Sequence, residues 1–120
     1  MMNIEQLYDY CLTKKGVTEH FPFDKDTLVF KVGGKMFCLT SLKDWENGNP
    51  SVIVKCNPEL AIEWRERYES VLPGYHSNKK HWNTVLINRE LDSKKVNHFI
   101  NHSYELVVSG LSKKERELLK

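Results

Sequence analysis

Thr27-Leu28-Val29-Phe30-Lys31-Val32-Gly33-Gly34-Lys35-Met36-Phe37-Cys38-Leu39-Thr40 is a pair of strand-forming runs on either side of two glycines. Consecutive glycines supply the positive φ that a two-residue primed turn needs, so the stretch predicts a β-hairpin. Leu28, Phe30 and Val32 fall on one side of the first strand, with Val29 and Lys31 on the other. One side is therefore core-facing and the second only partly polar. Lys31 and Lys35 bracket the tip with positive charge.

Upstream of the hairpin, Asn3 and Gln6 have capping-box spacing, and Ile4, Leu7, Tyr8, Cys11 and Leu12 recur at helical offsets until Gly16. This predicts a helix over residues 3–15. Downstream, Ser41 to Pro50 reads as a polar connection and Ser51 to Cys56 as a strand. Asn57 then caps a helix that carries Pro58 in its first turn, Glu59 at its positive end, and a buried stripe of Leu60, Ala61, Trp64 and Tyr68. Pro73-Gly74 breaks the chain, and Trp82 to Ile87 forms a fourth strand. Ser93 is the expected cap of a helix whose apolar face is Val96, Phe99, Ile100, Tyr104, Val107 and Val108, closed by Gly110. Ser112 and Glu115 box a short final helix. The expected order is α-β-β-β-α-β-α-α, an α+β fold with a mainly antiparallel four-stranded sheet and helices mostly on one face.

A chain of 120 residues suits one domain, here 1–120. Apolar residues make up 40% of it, in short blocks, and none approaches the ~18 uninterrupted residues of a membrane span. The start, Met1-Met2-Asn3-Ile4-Glu5-Gln6, lacks a basic region followed by an apolar one, which points to a cytosolic protein. Cys11, Cys38 and Cys56 are odd in number and widely spaced, as suits reduced thiols and not a disulfide scaffold. A net charge of +2 only permits a nucleic-acid partner. Residues 81–120 hold seven basic and five acidic groups, whereas the two earlier thirds are balanced, so the charge is expected to be sided.

The densest polar segment is Pro73-Gly74-Tyr75-His76-Ser77-Asn78-Lys79-Lys80-His81-Trp82-Asn83-Thr84. Lys79 and Lys80 are expected to neutralise phosphates. Asn78 and Asn83 offer hydrogen bonds to phosphate, sugar or base edges, His76 and His81 add imidazoles, and Tyr75 offers a stacking face. Trp82 is expected in the core, as aromatic residues at strand starts usually pack. Two other sets are weighed against blander readings. His98, His102 and Glu105 lie along one helical stripe that zinc would accept, but a solvated polar face is the plainer reading and no further ligand completes a site. Cys56 precedes a helix N-terminus, where a thiol with His76 or His81 as base would be a nucleophile; a small buried cysteine ending a strand is the plainer reading.

Pro73-Gly74-Tyr75-His76 followed by Asn78-Lys79-Lys80-His81-Trp82-Asn83-Thr84-Val85 closely resembles the signature of the MmcQ/YjbR family. Phe21-Pro22-Phe23, the stretch Asp26 to Phe37 and Asn57-Pro58-Glu59-Leu60 extend the resemblance over most of residues 1–115. It implies a CyaY-like α+β fold in a small bacterial cytosolic protein that binds DNA through a double-wing arrangement, and it carries over no catalytic residue. The iron-binding acidic ridge of frataxin-like relatives is not matched, since the first helix offers only Glu5 and Asp9 early on and ends in Lys14 and Lys15. The expectation is a monomeric, non-enzymatic DNA-binding protein without cofactor, contacting phosphates through Lys31, Lys35 and the Tyr75 to Asn83 segment. The alternative is a binding protein for a small anionic metabolite or nucleotide built on the same segment, with an enzyme using Cys56 a more distant one.

Overall fold

The computed structural model describes residues 1–74 and 78–120. The glycine-pair hairpin is its centre: β2 (Thr27–Val32) and β3 (Lys35–Ser41) pair antiparallel about Gly33 and Gly34, whose φ values are 59° and 78°. The positive φ calls for glycine at Gly33, and a Cβ there would lie 2.7 Å from the end of the Leu111 side chain, which would have to shift. The hairpin tip is thereby seated on the chain that follows α4 (Ser93–Ser109).

The described residues form a six-stranded antiparallel sheet in the order β1-β2-β3-β4-β6-β5, two strands more than the sequence predicted. β4 (Ser51–Lys55) and β6 (Trp82–Leu86) are the expected central strands. The additional ones are the edges, β1 (Val17–His20) and β5 (Val71–Pro73). Both are short, β1 has a single apolar residue, and β5 ends in proline, so neither has the alternation that marks a strand in sequence. The polar connection after β3 contains a further short helix, α2 (Leu42–Glu46), capped by the Ser41 hydroxyl on the Asp44 amide at 3.2 Å.

α1 (Ile4–Leu12) has the expected Asn3/Gln6 capping box but stops short of residue 15. α3 (Pro58–Arg67) starts at the Asn57 cap, and α5 (Lys113–Glu117) starts at the Ser112/Glu115 box. The cap of α4 is Asp92 and not Ser93: its carboxylate accepts from the Lys95 amide at 2.8 Å. α1, α3 and α4 share one core with the inward residues Leu28, Phe30, Val32, Val52, Val54 and Val85. Phe37 and Cys38 both reach this core because the β2–β3 register slips after Phe30.

That bulge also shortens the β3–β4 ladder to Cys38↔Val54 and Leu39↔Ile53. Beyond it the buried Ser103 hydroxyl of α4 closes the gap, accepting from the Lys55 N–H at 2.8 Å and donating to the Phe37 carbonyl at 2.5 Å. At the other end the Thr40 hydroxyl donates to the Ser51 carbonyl at 2.6 Å and accepts from the Trp45 indole at 2.8 Å. Two hydroxyls thus satisfy backbone groups that a regular ladder would have paired.

Candidate functional site

The strand register decides which predicted residues share a surface. On the face away from α1, α3 and α4, the pairs His20↔Val29, Val29↔Leu39, Leu39↔Ile53, Ile53↔Thr84 and Thr84↔Leu72 run as one row across all six strands. One step toward the hairpin tip lie Lys31 opposite Met36 and Lys55 opposite Trp82. The hairpin tip and the turn entering β6 therefore occupy the same end of the sheet. Within β2 to β6 the only charged residues are Lys31, Lys35 and Lys55, with no carboxylate among them.

Lys79 and Lys80 are exposed at that end, in a turn tightened by the Asn78 side chain, which accepts from the Lys80 amide at 2.9 Å. Arg65 of α3 holds the turn in place by donating to the Lys79 carbonyl and, at 2.7 Å, to the Asn83 side chain. Asn83 is 1% exposed and donates to the Ala61 carbonyl at 3.4 Å, so it is a buried clamp and not the ligand contact predicted for it. His81 is half-buried and bound through its backbone, its carbonyl accepting from the Cys56 amide at 2.7 Å. Tyr75 and His76 lie outside the described residues.

Trp82 departs from its predicted place in the core. Inward-facing Val54 pairs with Asn83, so Trp82 projects to the opposite face, partly exposed and apart from the core cluster. Trp64 is the indole that the core encloses, with Phe99, His98 and His102 rings 4.8, 5.8 and 5.0 Å away. This packing takes up the candidate zinc stripe: His102 Nε2 accepts from the Asn57 amide at 3.3 Å, and burial lowers the pKa of the imidazole. A lone pair held in that bond is not presented to a metal. Cys56 is 2% exposed and burial pushes its thiol up to about 12, which leaves it protonated at neutral pH and a poor nucleophile.

A groove of about 540 Å³ runs over the same face from Met36 away from the hairpin tip, walled also by Phe23, Leu39 and Ile53 and charged by Asp24 and Asp44. The backbone amides of Asp26 and Thr27 hold the Asp24 carboxyl below its usual range, so the groove is anionic. The depression beside Lys79 and Lys80, about 360 Å³, is shared with Ile62, Arg65 and Glu59. Among the described residues no helix is long and apolar enough to cross a membrane.

Comparison with known proteins gives one consistent relationship. The YjbR family model matches residues 12–106. The uncharacterized protein YjbR of Escherichia coli strain K12 is 33% identical over 118 residues, covering 98% of each chain. The uncharacterized protein YbdF of Escherichia coli O157:H7 is 38% identical over 97 residues, 81% of this chain and 77% of its own. In three dimensions the chain is similar to the crystal structure of Deinococcus radiodurans protein DR2400, a DUF419 domain, with a TM-score of 0.88 and 36% identity over 99% of this chain and 88% of that one.

Proposed function

The chain belongs to the YjbR family, and from that premise and the lysines at one end of its sheet we propose that it is a non-enzymatic DNA-binding protein, acting as a monomer and contacting phosphates. The observation that carries this reading is the register, which sets Lys31, Lys35 and Lys55 at the end of the sheet where Lys79 and Lys80 turn into β6. The CyaY-like arrangement implied by the family resemblance belongs to the same proposal. The hairpin contributes as a braced strand pair and not as a mobile wing, since Leu111 backs Gly33 at its tip.

Neutralising about 3–5 phosphates makes log affinity for duplex DNA fall with log salt at a slope of roughly −3 to −4.5. A small anionic metabolite is the weaker reading: the larger groove carries two aspartates, and the depression beside the lysines includes Glu59. The test is Lys79→Glu with Lys80→Glu, assayed by duplex binding and thermal unfolding. Both side chains are exposed, so affinity drops while the melting temperature holds. Unchanged affinity refutes the assignment, and a parallel loss of stability makes the turn structural only.

A further inference from the structure

We propose that the open face of the sheet, at its lysine end, takes single-stranded nucleic acid, with a base stacked on Trp82 and phosphates on Lys31, Lys55 and the Lys79–Lys80 turn. This rests on the nucleic-acid reading above and names its substrate class. Trp82 projects from β6 on the face that α1, α3 and α4 do not cover, directly across from Lys55. Its partial exposure contrasts with Trp64, which lies among Phe99, His98 and His102. Lys31 sits two strands beyond Lys55, roughly 10 Å away at ordinary strand spacing, with the Met36 side chain between them. The result is a partly exposed aromatic ring and a row of cations around Met36, with Asp24 and Asp44 of the groove that Met36 also lines lying away from the tip, a combination that matches a polyanion whose bases have free π-faces.

Duplex DNA does not fit the same features. Its bases are stacked on one another and present only edges to a protein, so an indole projecting from the sheet finds no base face to cover. Reading a groove needs a protruding helix or ribbon, and the hairpin tip here is held against Leu111. The cations alone would still attract a duplex through its phosphates, so duplex binding is the weaker, purely electrostatic mode.

The experiment uses the full chain with three probes compared over one matched salt series: an oligothymidine, an abasic strand of equal length, and a random duplex. The oligothymidine binds most tightly and quenches tryptophan fluorescence, while the abasic strand does neither. Trp82→Ala lowers oligothymidine affinity about five- to a hundred-fold, leaves its salt slope unchanged, and alters duplex affinity less than about two-fold. Trp82→Phe keeps a ring and retains part of the preference, which covers any loss of folding in the alanine variant. Lys55→Ala reduces the single-strand slope by about 0.7. The inference is overturned if oligothymidine and abasic strand bind alike, or if folded Trp82→Ala keeps the parent affinity. Duplex binding that responds to Lys79→Glu with Lys80→Glu in those cases leaves the nucleic-acid reading standing, whereas no binding to any probe at low salt overturns both.

Discussion

Asn83 carries the clearest lesson at the scale of one residue. Within a polar, lysine-bearing segment it has the composition of a ligand contact, but it faces inward, because the alternation of β6 turns it toward α3. There it accepts from Arg65 and donates to the Ala61 carbonyl. Removing the amide strands a guanidinium N–H in a half-buried place, so Asn83→Ala is expected to cost about 1–3 kcal/mol in urea unfolding. Asn78→Ala, at an exposed turn, should stay within about 0.5 kcal/mol. Trp82, the neighbour of Asn83, is displaced by the same parity in the opposite direction. Aromatic content alone does not say which face of a strand a ring occupies; the partner strand's register does.

Among the elements, the hairpin and its glycine turn were legible because the φ requirement is local. The Asn3/Gln6 and Ser112/Glu115 boxes were legible for the same reason, each being a contact between residues three apart. The two edge strands were not, since a four-residue and a three-residue strand are held by pairing to β2 and β6 and have little propensity of their own. The β3–β4 junction is an extreme case, where a side chain 48 residues away from Lys55 completes the pairing. Ser103→Ala leaves the Lys55 N–H and Phe37 C=O without their shared hydroxyl. Stability should fall by about 1–3 kcal/mol, with faster amide exchange at Lys55 than at Val54.

For the whole molecule, the packing of α3 on α4 ties stability to pH through His102. Burial, and then the like charge of His98, lowers its pKa, with Glu105 opposing, while the Asn57 amide donates to Nε2 and Trp64 lies against the ring. The unfolded chain takes up this proton near the ordinary value of 6.5, before the folded one does. Stability is therefore complete above that value and declines as pH falls through it toward the lower folded value. Urea midpoints from about pH 7 to about pH 5 should fall for the parent and flatten for His102→Gln. Glu90 is held below its usual range by the Ser70 hydroxyl and amide, and so adds its own loss only under more acidic conditions.

What the sequence determined by itself was everything set by neighbours along the chain: the α+β class, the central strands, most helix caps, the glycine turn and the YjbR relationship. Hydrophobic period, cap chemistry and turn φ act over a few residues, so they can be read without knowing what packs where. Tertiary structure alone decided that the hairpin lysines and the Lys79–Lys80 turn share one end of the sheet, that Asn83 points in and Trp82 out, and that His98 and His102 pack on an indole. Each of these depends on pairing between residues tens of positions apart, and a one-residue change of register would exchange the two faces.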